Sequence, residues 1–171
     1  MDTSKQSAGE GRGTEQVLLT RNQIREILPH GDAFLFIESI TSMEYAKRIT
    51  GRLVDLSASD YRAWAEAHFP GYPLVPGVIL IEALAQLGGV ALLTMPEHKG
   101  KLIVLGGVKQ WRFRHSAAPG ETINLEAELT RLRGIFGQGH VKATDAKGSI
   151  LAEGDLTFGL VEKPVEMKGV R

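Results

Sequence analysis

No cysteine occurs among the 171 residues. Disulfides, thiolate nucleophiles and Cys-based zinc sites are therefore excluded at once. Aromatic residues are scarce, at 6%, and neither sign of charge dominates, since 20 Lys and Arg balance 20 Asp and Glu. Nucleic-acid binders usually carry a basic excess, so this balance argues against that class while leaving room for a local basic patch. A long hydrophobic run is missing as well. The most apolar stretch, Val78 to Leu93, falls short of the ~20 residues that a membrane span requires. It also contains Glu82 and Gln86 and lies between Pro76 and Pro96, and it reads as a buried core helix. The first residues, Met1 to Gln16, lack an apolar segment of signal-peptide type and are too polar to bury. The expectation is a cytoplasmic protein with no membrane span and no nucleic-acid partner.

What is present fits one domain. Hydrophobic residues make up 43%, and a chain of this size buries roughly 70% of its unfolded surface. The domain is drawn over residues 20–161, with tails at 1–19 and 162–171. A short helix is expected from Thr20, a plausible N-cap, to Leu28, where Pro29 ends it. Phe34 to Ile40 reads as a strand, and Met43 to Leu56 as one long half-exposed strand. Ser57 to Pro76, with Tyr61 and Trp64 embedded, reads as irregular. After the apolar helix, four strands are expected at Lys101–Phe113, Thr122–Arg133, Gly137–Asp145 and Ser149–Leu160. Turn signals at Pro119-Gly120, Gly134 and Lys147-Gly148 separate them. The fold class is α+β, a large antiparallel sheet around one buried helix.

Three features of this layout carry chemistry. Glu82 is the one acid on the apolar helix, where burial is expected to raise its pKa and make it a proton donor; Gln86, one turn on, is placed to orient it. The loop His68-Phe69-Pro70-Gly71-Tyr72-Pro73 is stiffened by its X-Pro steps, and it holds a histidine suited to general-base work. The helix start at Gly77-Val78 offers free N–H groups and a dipole to a carbonyl oxygen that is becoming negative. Base, acid and oxyanion site together suit removal of a proton α to a carbonyl with loss of a β-substituent. Each feature also has a plainer explanation: an acid capping backbone, a solvated histidine, a Pro-Gly turn.

At these residues the sequence resembles the 3-hydroxyacyl-acyl-carrier-protein dehydratases of type II fatty-acid synthesis. The signature runs from His68-Phe69-Pro70-Gly71 through Pro73, Pro76-Gly77-Val78 and Ile81-Glu82-Ala83-Leu84-Ala85-Gln86. Ile27-Leu28-Pro29-His30, Phe34 to Ile37, Arg112-Phe113-Arg114 and Pro119-Gly120-Glu121 extend it over roughly residues 21–161. The resemblance implies a hotdog fold, a homodimer or trimer of dimers, and an active site at the dimer interface. His68 would take the α-proton, and Glu82 of the partner subunit would help the hydroxyl leave. Gly77, with Val78 and Gln86, would bind the thioester. No cofactor or metal is implied. Ala67, Gly31-Asp32 and the longer stretch from Ser57 to Glu66 depart from the family pattern.

The implied carrier protein is acidic, and Lys99, Lys101, Lys109, Arg112 and Arg114 outnumber one acid between Glu97 and His115. Lys109, Arg112 and Arg114 are candidate docking residues. His30, His98, His115 and His140 show no ligand spacing and read as structural or solubilising. A hotdog acyl thioesterase and a non-catalytic carrier-binding protein stand as alternatives.

Overall fold

The computed structural model describes residues 16–163. Chain order is β1 (Leu19–Thr20), α1 (Arg21–Ile27), β2 (Ile37–Glu44), β3 (Arg48–Leu53), α2 (Ser59–Ala67), α3 (Gly77–Leu93), then β4 (Lys101–Phe113), β5 (Asn124–Arg133), β6 (Phe136–Thr144) and β7 (Ile150–Glu162). All seven strands form one antiparallel sheet, in the order β1-β2-β3-β5-β6-β7-β4. The sheet wraps α3, which is the hotdog arrangement.

Packing follows the two side-chain periods. Leu80, Leu84 and Leu87 of α3 recur at helical spacing and are buried, as is Val90. They meet the inward residues of the sheet, among them Ile40, Ile49, Leu125 and Val141. Each such Leu or Ile contributes roughly 1.5–3 kcal/mol by leaving water. Gly51 on β3 marks a close approach, because a Cβ there would lie 2.5 Å from the Ser39 carbonyl oxygen and 3.0 Å from Leu87. The expected small-residue packing on α3 divides in two. Gly88 faces Ala127 of the sheet at 4.0 Å, whereas Gly89 faces Leu28 at the end of α1.

Thr20 caps α1 as expected, with its N–H bonded to the Gln23 side chain at 2.9 Å. The last four strands fall within two residues of their expected limits. Three expectations are corrected. The span from Met43 to Leu56 is not one strand, for the chain reverses at Tyr45-Ala46-Lys47 and β3 pairs back on β2. Ala46 makes that turn at φ 53°, without the glycine or proline that would announce it. Phe34 lies in a 3₁₀ turn (Asp32–Phe34) rather than a strand. Ser59–Ala67 is helical, not irregular. Leu18 and Leu19 already pair with Ile40, so the fold begins before residue 20, and β7 extends to Glu162. Residues 1–15 and 164–171 of the two expected tails lie outside the described residues, among which no helix is long and apolar enough to cross a membrane.

Candidate active site

His68 caps the C-terminus of α2, and the loop behind it folds back on itself. The His68 carbonyl accepts from Leu74 N–H at 2.7 Å, while Phe69 and Tyr72 exchange backbone bonds of 3.1 and 2.9 Å. Gly71 makes this turn at φ +80°, a region costly to other residues. Val75 N–H then ties the loop to Ala117 at 2.9 Å. The peptide between His68 and Phe69 is cis, and the two rings stack at 4.3 Å. His68 Nδ1 lies 3.2 Å from the Leu74 carbonyl oxygen. A carbonyl only accepts, so Nδ1 carries the hydrogen and Nε2 of the neutral ring keeps a free lone pair. The loop thus fixes the tautomer a general base requires.

Pro76 precedes α3, so Gly77 opens the helix; the Ile79 N–H bonds the Pro76 carbonyl at 2.9 Å, while the Gly77 and Val78 N–H groups have no intrahelical acceptor. Phe113 lies directly over Gly77. A Cβ at this position would meet the ring at 2.4 Å, so only glycine fits under the ring as it stands. Val78 is exposed, beside Gly77 at the helix start.

Glu82 sits a turn and a half into α3 and is 27% exposed. Its Oε1 accepts from Gln86 Nε2 at 3.0 Å and stands 3.4 Å from His30 Nε2. Gln86 is itself 2% exposed and fully engaged. It accepts the Phe36 N–H at 2.9 Å and donates to the Phe34 carbonyl at 2.8 Å. The expectation that burial keeps Glu82 protonated is overturned. The His30 contact, opposed by burial and aided by the Gln86 hydrogen bond, holds the carboxyl below its ordinary value, so it stands ionised at neutral pH.

Beside α3 runs an apolar cavity of about 200 Å³, with Glu82 and His30 in its wall and Ala85, Gly88, Leu93 and Met95 along its length. His68 is not part of that wall. The chain therefore brings Glu82, Gln86 and His30 together and sets Phe113 over Gly77, while His68 lies outside the wall of the Glu82 cavity. His30 was invisible to spacing, because its partner lies 52 positions away; its only signal was its place directly after Pro29 in the Ile27-to-His30 segment. His98 Nδ1 donates to the Leu92 carbonyl at 3.0 Å from a buried position, and His140 pairs with Asp155. Lys109, Arg112 and Arg114 are exposed, but Arg114 is bound to Glu153 by two of its nitrogens. Among the described residues, no group of three His, Asp or Glu stands close enough to hold a metal ion.

Comparisons with known proteins bear on this geometry. The profile of the FabA-like domain matches residues 28–158. The 3-hydroxyacyl-acyl-carrier-protein dehydratase FabZ of Bacillus cytotoxicus is 40% identical over 146 residues, covering 85% of this chain and 99% of that protein. The enzyme of the same name from Desulforamulus reducens is 38% identical over 146 residues, 85% of this chain and 100% of its own. Among solved structures, the dehydratase heterocomplex ApeI:P from Xenorhabdus doucetiae superposes with a TM-score of 0.68 at 17% identity, over 85% of this chain and 93% of that one. A thioesterase from Haemophilus influenzae gives 0.61 at 11% identity, over 90% and 97%. These two likenesses concern the fold.

Proposed function

Because the chain belongs to the FabA-like domain family, we propose that it is a 3-hydroxyacyl-acyl-carrier-protein dehydratase, converting 3-hydroxyacyl thioesters to trans-2-enoyl thioesters in the cytoplasm. The observation that carries this reading is the near full-length match, at about 40% identity, to enzymes of that name.

In this reading the thioester carbonyl lies at the start of α3, where the Gly77 and Val78 N–H groups and the helix dipole offset negative charge developing on its oxygen. His68 Nε2 removes the proton from Cα, and the electron pair of that bond forms the new double bond as the Cβ–O bond breaks. Glu82 is ionised, so it accepts a hydrogen bond from the β-hydroxyl and orients the C–O bond rather than supplying a proton. The proton taken by His68 passes to the departing hydroxyl, which leaves as water, and the imidazole is restored. His68 does not line the Glu82 cavity of its own chain, which supports a working pair of His68 from one subunit and Glu82 from the partner subunit in a homodimer, alone or within a trimer of dimers. The exposed Lys109, Arg112 and Arg114 form the docking face for the acidic carrier.

Incubation with 3-hydroxyacyl carrier-protein thioesters of several chain lengths tests the assignment. Enoyl product is expected. Free thiol would instead identify a thioesterase, and unchanged substrate with tight carrier binding would identify a non-catalytic partner.

A further inference from the structure

The segment from Pro29 to Phe36 does two things to one carboxylate. Its backbone, at Phe34 and Phe36, locks both ends of the Gln86 amide, which then binds Glu82 Oε1. Its first free side chain, His30, reaches the same oxygen. His30 is held in turn by stacking on Phe34, with ring centroids 6.3 Å apart and planes 18° from parallel. Among the described residues nothing bonds to the other oxygen, Oε2.

Nδ1 of His30 is buried and has no hydrogen-bond partner among the described residues. The other charged groups that face this cavity are Lys47, Arg48 and Glu128. Lys47 is paired with Glu44 and Arg48 with Glu126, so neither competes for Glu82.

We propose that His30 is a positioning residue: with Nε2 at 3.4 Å from Glu82 Oε1 it works with Gln86 to hold that oxygen, leaving Oε2 to receive the substrate's β-hydroxyl. This rests on the role given to Glu82 above. The two are separable by experiment, because Glu82→Gln tests that role alone. Steady-state kinetics of His30→Phe and His30→Gln test the proposal. In His30→Phe, kcat is expected to fall about tenfold or more, a part of what a positioned acid–base group supplies, with KM nearly unchanged. His30→Gln, which keeps an N–H at that reach, should recover most of the lost kcat. Wild-type kcat in His30→Phe would overturn the proposal. So would His30→Gln variants as impaired as His30→Phe. Wild-type turnover in Glu82→Gln would instead remove the role of Glu82, and the proposal with it.

Discussion

Gln86 stands one helical turn beyond Glu82, donates to its carboxylate at 3.0 Å and accepts the Phe36 N–H at 2.9 Å. One buried amide therefore links the α3 carboxylate to the backbone that enters β2. The cost of losing it falls on both stability and activity. Gln86→Leu fills a similar volume but removes the acceptor of the Phe36 N–H and the donor to the Phe34 carbonyl, and losing such buried bonds costs about 1–3 kcal/mol. Denaturant titration should show a loss of that size. Turnover should fall further than stability alone explains, since Glu82 loses one of its two anchors. A variant as stable as the parent would show that the amide is not a structural tie.

The separation of His68 from the Glu82 cavity makes a prediction about mixtures. His68→Ala and Glu82→Gln should each lose about 10²–10⁴-fold in turnover while keeping the fold, as measured by circular dichroism. When the two inactive variants are unfolded and refolded together, half of the dimers formed are mixed. Each mixed dimer pairs one intact site with one doubly altered site, restoring about a quarter of the parental sites. Absence of any recovery, with mixed dimers shown to form, would mean that each chain builds its site alone.

Much of this was legible in the sequence. The apolar run with one acid marked α3 because burial on all sides leaves few polar positions, and closely spaced β-rich stretches with Gly turns gave the last four strands. Gln86 was legible by helical periodicity, being one turn from Glu82. What escaped was non-local or unpunctuated. Ala46 turns a hairpin with no Gly or Pro. His30 meets Glu82 through a fold, not a spacing, and its contact reverses the expected direction of the Glu82 pKa. Desolvation was the visible effect from sequence; the hydrogen bonds that outweigh it needed coordinates.

That reversal has a pH signature. Glu82 is lowered from 4.5 by the His30 contact, and by Gln86, against the effect of burial. A carboxyl depressed in the folded state adds stability that is present above its unfolded value and lost as pH falls through the folded one. The difference in Tm between the parent and Glu82→Gln should therefore be constant above about pH 5.5 and should shift against the parent below about pH 4.5. A difference that moves in the parent's favour on acidification would mean that the folded protein binds the proton more tightly, as the desolvation argument alone predicts.

The basic stretch before β5 makes the last prediction, and the ion pairing divides its members. Arg114 is committed to Glu153, whose carboxyl it holds below the ordinary value. Reversing Arg114 would thus disturb the β4–β7 edge as well as any docking. Arg112 and Lys109 lie opposite Glu153 and Asp155 in register, but Glu153 is taken by Arg114 and Asp155 by His140. Their charges are the freer ones to meet an acidic partner. The double variant Lys109→Glu and Arg112→Glu should raise KM for carrier-borne substrate by about tenfold, or about 1.4 kcal/mol, less than a desolvated like-charge contact costs because these charges are exposed. Turnover of the same acyl group on coenzyme A should be nearly unchanged. The penalty should shrink as salt is raised, because the charges are exposed and screened. Equal loss on both substrates, or a penalty indifferent to salt, would remove these two residues from the docking face.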